Sequence, residues 1–218
     1  MKEFSESENR ERANQIIRLL EREFPKAKIA LHYADPLQLL VATMLSAQTT
    51  DERVNIVTKS LFRKYRNAED YASADLSQLE KDVRSTGFYH NKARNIKETA
   101  KMLVQKYNSQ VPKTMSQLIE LPGVARKTAN IVLQNAYGIV DGIAVDTHVR
   151  RVSARLGLTS NSDPIKIEQD LMRIIPKDKW MQVTDLLIIL GRQVCSARSP
   201  KCEICVLNKV CPSAFTFK

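Results

Sequence analysis

Two residues, Lys127 and Asp146, have the types and the setting to make and break a bond. Lys127 stands in Leu121-Pro-Gly-Val-Ala-Arg-Lys-Thr-Ala129, which reads as the end of one helix, a tight hairpin and the start of another. Pro122 cannot continue the helix suggested by Ser116 to Glu120, Gly123 permits a left-handed turn, and the apolar run from Thr128 to Ala136 restarts helical periodicity. The hairpin's N–H groups then sit at a helix N-terminus, which binds an anion such as phosphate without help from side chains. The positive end of the helix dipole disfavours an ammonium, and a lysine that sheds its proton is a nucleophile. Asp146 falls at the N-cap of a helix that runs to Gly157. Taken singly, the lysine is an exposed cation beside a phosphate and the aspartate an ordinary cap. Taken together, they suit an amine attacking a sugar carbon while a carboxylate stabilises the positive charge that develops there.

A second chemical centre lies further along. The cysteines read Cys195-x6-Cys202-x2-Cys205-x5-Cys211, and all four of the chain's cysteines are in this stretch. That clustering argues against a disulfide framework spread through a secreted fold. Four thiolates in a compact loop serve either a structural zinc or an iron–sulfur cluster, and because only Cys202 and Cys205 form a close-spaced knuckle, the spacing leaves both open. Arg192, Arg198, Lys201 and Lys209 add cations around the loop.

The elements that must position these residues are helices. Ile16, Ile17, Leu19, Leu20 and Phe24 give the segment from Ser7 an apolar face, and Pro25 stops it. Asp35-Pro36 supplies an N-cap and a first-turn proline for a helix apolar nearly all round, from Leu37 to Leu45. The polar turn Ser46–Asp51 follows, with Asp51 the expected cap of the next helix and Gln48 where two helices meet. Asn67 and Asp75 cap short helices. Past Gly87, the segment from Phe88 opens a long basic helix to about Tyr107, with Ile96, Ala100, Leu103 and Val104 expected to face inward. Its start puts Phe88 and Tyr89 beside Lys92, a combination suited to base stacking next to a phosphate backbone, although a solvated charged face with two buried rings is the plainer reading. Asp163-Pro164 starts a helix to Ile175, and Lys177 to Val194 forms the last long one. No period-two run is long enough for a sheet, so the chain reads as all-α.

The balance of charge is +10 over 218 residues. It points to a polyanionic partner, without by itself establishing one. No stretch approaches transmembrane length, and the start Met1-Lys-Glu-Phe-Ser-Glu is too acidic and polar for a signal peptide, so a soluble intracellular protein of the cytoplasm or nucleoid is expected.

The ordered set of motifs resembles the endonuclease III family, helix–hairpin–helix DNA glycosylases with AP-lyase activity. It is carried by Leu121–Ala129, by Val145-Asp-Thr-His-Val-Arg-Arg151 and by the cysteine spacing, with Leu45-Ser-Ala-Gln-Thr-Thr-Asp51 and Gly87-Phe-Tyr-His-Asn-Lys-Ala93 similar to two further family signatures. The resemblance implies two helical lobes: a six-helix barrel with the helix–hairpin–helix over residues 30–137, and a second lobe joining 1–29 to 138–218 with a [4Fe–4S] loop at 195–211. It implies Lys127 as the nucleophile, Asp146 as its acidic partner, and Cys195, Cys202, Cys205 and Cys211 as cluster ligands. A monomer acting on damaged double-stranded DNA is implied as well. Pro122, Gly123, Val124, Ala125 and Arg126 would clamp the backbone, and Gln48 with Phe88 or Tyr89 would fill the space left by a flipped base. Lys92, Thr147, His148, Arg198 and Lys201 complete the expected DNA surface. Ala125 departs from the glycine common at its position. Adenine-mismatch relatives lack the lysine, and oxidised-guanine relatives generally lack the four cysteines, so oxidised pyrimidines and abasic sites are the implied substrates. A noncatalytic DNA-binding module with a structural metal is the competing reading.

Overall fold

The structure, a computed structural model, describes residues 6–217. Met1 to Ser5, which include most of the acidic start weighed above against a signal peptide, lie outside the described residues, as does Lys218. The described residues are helical with no strand, and the chain divides into two compact units. One is Ala30–Asp141; the other joins the N-terminal segment through Ile29 to Gly142 and beyond.

The Ala30–Asp141 unit contains α2 (Pro36–Leu45), α3 (Asp51–Lys64), α4 (Ala68–Ser73), α5 (Leu76–Val83), α6 (Tyr89–Lys106), α7 (Met115–Ile119) and α8 (Arg126–Tyr137), an arrangement consistent with the six-helix barrel. α2 packs against α3, α6 and α8, and its Leu39, Leu40 and Leu45 are fully buried, as an all-round apolar helix requires. The caps are side chains reading the backbone locally: Asp35 accepts from Gln38 N at 2.8 Å, Asn67 from Asp70 N at 2.8 Å and Asp75 from Gln78 N at 2.8 Å. α3 differs from expectation. Its cap is Thr50, which accepts from Arg53 N at 3.3 Å, and Asp51 is the first helical residue, where its charge complements the dipole instead. Val104 also differs: it is exposed, because Ile96, Ala100 and Leu103 define the buried stripe and residue 104 lies at its edge, about 80° round the helix from Ile96.

The other unit contains α1 (Glu6–Glu23), α9 (Thr147–Arg155), α10 (Pro164–Ile174) and α11 (Trp180–Gln193), followed by the cysteine loop with one 3₁₀ turn at Cys202–Ile204. Its core joins Ile16 and Leu20 of α1 to Val149 and Val152 of α9, Ile167 and Leu171 of α10, and Leu186 and Leu187 of α11. Gly191 lets α9 and α11 approach closely, since a Cβ there would sit 3.0 Å from His148 Nδ1 and 3.1 Å from Arg151 Nη2. None of the described helices is long and apolar enough to cross a membrane.

Candidate functional site

The hairpin between α7 and α8 forms as the sequence dictates. Gly123 has φ +77°, a conformation side chains rarely adopt, and a Cβ on it would meet Asn95 Nδ2 at 2.6 Å. Thr99 Oγ1 donates to the Pro122 carbonyl at 2.9 Å, tying the turn to α6, while Leu121 and Val124 anchor its base in the core. Ala125 is the N-cap of α8 with φ −90° and ψ 169°, extended backbone that alanine adopts without strain. Its methyl group cannot accept a hydrogen bond, so α8 starts with no side-chain cap and the N–H groups of its first turn are left for an outside acceptor. Lys127 is the second residue of this helix, exposed, and without a hydrogen bond or ion pair among the described residues. Its amine is therefore not committed to the protein.

Close to the hairpin, one cleft of about 240 Å³ gathers Met44, Ala47, Gln48, Phe88, Asn91, Lys92, Asn95 and Gly123. Gln48 (φ 54°) and Phe88 (φ 47°) are both left-handed, and both lie at turns between helices. Such conformations cost about 1 kcal/mol or more each and persist only where the surroundings enforce them. Lys92 ties the two turns together. Its side chain is buried at 6% exposure, and Nζ donates to the Leu45 carbonyl at 2.8 Å, Thr49 Oγ1 at 2.8 Å and the Thr86 carbonyl at 2.7 Å. Thr49 Oγ1 in turn donates to the Thr86 carbonyl. One ammonium thus staples the turn carrying Gln48 to the turn carrying Phe88. Burial draws its pKa down to about 8. The expectation that Lys92 meets a DNA phosphate is corrected accordingly: its charge is spent on three internal acceptors. Phe88 is 65% exposed. Tyr89 is half-buried with its ring 4.1 Å from that of His90, so Phe88 is the aromatic that projects from this turn.

In the other unit, Asp146 caps α9. Its Oδ1 accepts from His148 N at 2.8 Å and Val149 N at 2.7 Å, which orients the carboxylate and leaves Oδ2 without a hydrogen-bond partner among the described residues. Thr147 is exposed at the start of the helix. His148 is turned toward α11: Nδ1 lies 3.1 Å from Arg151 Nη2, and burial, ahead of the neighbouring charges, holds its imidazole below the usual range. Arg151 continues to the Gly191 and Cys195 carbonyls, so this row of side chains links the capped start of α9 to the cysteine loop.

All four cysteines line one pocket, walled by Val152, Leu156, Leu190 and Leu207. Burial raises the thiols of Cys205 and Cys211; Cys205 also feels Cys195 and Cys202, and Cys211 feels Cys195, Cys202 and Cys205. Among the described residues no three His, Cys, Asp or Glu side chains are grouped tightly enough for a single metal ion. A tetrahedral zinc, with bonds of about 2.3 Å, would draw its sulfurs to within about 4 Å of one another. Four thiolates around one apolar pocket are the donor set that an iron–sulfur cluster takes. Arg198 and Lys201 are exposed on this loop. Asn91 and Asn95 are further candidate functional residues of this cleft, and their spacing of four on a helix opening with Phe88 is the sequence signal that marks them.

Comparison with known proteins finds a family model matching each region. Residues 41–177 match the family model for HhH-GPD superfamily base excision DNA repair proteins, and residues 195–211 match the iron–sulfur binding domain of endonuclease III. The chain is similar to endonuclease III of Synechocystis sp., 50% identical over 205 residues and 94% of each chain, and to that of Bacillus subtilis, 47% identical over 189 residues and 86% of each. Among solved structures it resembles a trapped covalent endonuclease III–DNA intermediate, with TM-score 0.90, 44% identity and coverage of 98% of this chain and 99% of that one.

Proposed function

The chain belongs to the endonuclease III family of base-excision DNA repair proteins, and from that premise we propose that it excises oxidised pyrimidines from damaged double-stranded DNA and then cleaves the strand, with Lys127 as nucleophile. It is a DNA glycosylase and AP lyase. The observation that carries the assignment of Lys127 is its setting: an uncommitted amine in the first turn of α8, beside backbone N–H groups that no side chain caps.

Those N–H groups and the Gly123 turn hold a phosphate, which fixes the sugar of the damaged nucleotide near Lys127. The base must leave the stack before anything can reach its sugar, and Gln48 and Phe88, held rigidly by Lys92, fill the space it leaves. The neutral Lys127 amine attacks C1′ as the glycosidic bond breaks, its electron pair leaving with the base, which takes a proton. Asp146, with one oxygen locked into its cap, presents the other to the positive charge that grows on the sugar. Ring opening gives a protonated imine between Lys127 and C1′. The imine acidifies C2′, loss of a C2′ proton expels the 3′ phosphate by β-elimination, and water then releases the lysine. The hairpin residues Pro122 to Arg126, Thr147, His148, Arg198 and Lys201 are assigned to the DNA surface. The protein acts as a monomer, inside the cell.

Cys195, Cys202, Cys205 and Cys211 hold a [4Fe–4S] cluster, which when bound supplies a covalent cross-link for loop 195–211 and a one-electron redox centre. The test of the functional reading is a single-turnover assay on duplex DNA carrying thymine glycol. Base release and strand cleavage should both vanish in Lys127→Gln while binding persists; cleavage retained in the variant, or binding with no base release in the wild type, overturns it.

A further inference from the structure

The chain continues past its last cysteine, and the described residues there fold back on the cysteine pocket. Ala214 N donates to the Cys211 carbonyl at 3.1 Å, Thr216 N and Oγ1 donate to the Ser213 carbonyl at 3.3 and 2.9 Å, and Phe215 takes φ 61°. A phenylalanine in that region costs on the order of 1 kcal/mol, and its own ring, 65% exposed, recovers little. The turn brings Phe217 over Arg155 instead, whose guanidinium carbon lies 4.1 Å from the ring centroid. Arg155 is the last residue of α9. Its Nη1 donates to Cys195 Sγ at 3.3 Å and to the Ser196 carbonyl at 2.6 Å, and its Nη2 donates to the Ala197 carbonyl at 2.8 Å. Arg155 and Phe217 line the same pocket as the four cysteines.

We propose that Arg155 and Phe217 form a two-layer cover on the iron–sulfur site: the guanidinium is a positioning residue that donates to the Cys195 ligand, and the ring seals its outer face against water and small oxidants. A donor to a ligating sulfur withdraws electron density and raises the reduction potential, while access of solvent governs how readily the site is attacked. The guanidinium is suited to this because one planar group serves the sulfur and two carbonyls at once while offering its face to an aromatic ring. A lysine cannot do all of this.

The proposal rests on the iron–sulfur reading of the loop, so the experiment begins with the iron content and visible absorbance of the intact protein. It then follows bleaching of that absorbance by hydrogen peroxide and the reduction potential by protein-film voltammetry, for the wild type, Phe217→Ala, Phe217→Leu, Phe215→Ala and Arg155→Lys. Phe217→Ala should bleach several-fold faster with unchanged thermal unfolding. Phe217→Leu, which keeps an apolar cover, should stay near the wild type, as should Phe215→Ala. Arg155→Lys should shift the potential to a more negative value. Equal bleaching in Phe217→Ala and the wild type, equal acceleration by Phe215→Ala, or an unmoved potential in Arg155→Lys overturns the cover while leaving the cluster in place. A wild-type protein without iron overturns the cluster reading itself, and the cover with it.

Discussion

Replacing Lys92 by methionine separates two accounts of that residue. Methionine keeps most of the stem but leaves the Leu45 and Thr86 carbonyls and the Thr49 hydroxyl without the donor that now serves them at 2.7–2.8 Å. Each buried group left unsatisfied costs about 1–3 kcal/mol. Against this stands relief from burying a charge: the drop from 10.5 to about 8 corresponds to roughly 3 kcal/mol at 1.36 kcal/mol per pKa unit. Thr49 can still donate to Thr86, so one of the three losses is softened. The expected balance is a destabilisation of about 1–4 kcal/mol, read as a lower urea midpoint. Because the staple holds Gln48 and Phe88, base excision should fall more than DNA binding does. A phosphate contact predicts something else: unchanged unfolding, weaker binding, and a salt dependence of log Kd shallower by about 0.9. An unchanged urea midpoint together with that shallower slope refutes the internal staple.

Asp146→Asn keeps a side chain that caps α9 but removes the negative charge, so its unfolding midpoint should stay within about 0.5 kcal/mol of wild type while single-turnover base release falls about 10²-fold or more; equal rates would leave Asp146 a cap alone. Asp185 is half-buried on α11, and burial raises its carboxyl from 3.8 to about 6. Between pH 4 and 6 the folded protein therefore binds more protons than the unfolded chain, stability falls as pH rises through that window, and the full cost is present above it. Asp185→Asn should be more stable than wild type at pH 7.5 by about 1–2 kcal/mol after allowance for solvent access, with the gap closing below pH 4; a gap independent of pH contradicts this. Gly123→Ala must adopt φ +77° and displace Asn95, so it should lose about 1–3 kcal/mol of stability and weaken DNA binding, whereas a neutral result in both assays would show that the turn is looser than its geometry implies.

What the sequence made legible was local. Asp35, Asn67, Asp75, Asp146 and Asp163 identify helix starts because a cap reads N–H groups two or three residues away. Thr50 and Asp51 show the limit of that logic, since both can cap and only the backbone conformation at Thr50 decides between them. The internal role of Lys92 is not legible in the sequence, because nothing near it in the chain reveals that Leu45 and Thr49, more than forty residues upstream, converge on its ammonium. Ala125 looked anomalous against a glycine pattern, yet its φ of −90° asks nothing of glycine. The cysteine spacing left zinc and an iron–sulfur cluster both open, and the match of residues 195–211 to the iron–sulfur binding domain of endonuclease III decides for the cluster. The pairing of Arg155 with Phe217 is hidden for the same reason as the staple at Lys92: residues far apart in the chain meet only once the segment after Cys211 has turned back.

The central claim is that the Lys127 amine becomes covalently bonded to the damaged sugar. Reduction with borohydride during turnover of thymine-glycol duplex, followed by proteolysis and mass spectrometry of the cross-linked peptide, reads that bond directly. The account predicts one adduct on the peptide containing Lys127 and none in Lys127→Gln. An adduct on any other lysine of the wild type, or undiminished trapping by the variant, contradicts it.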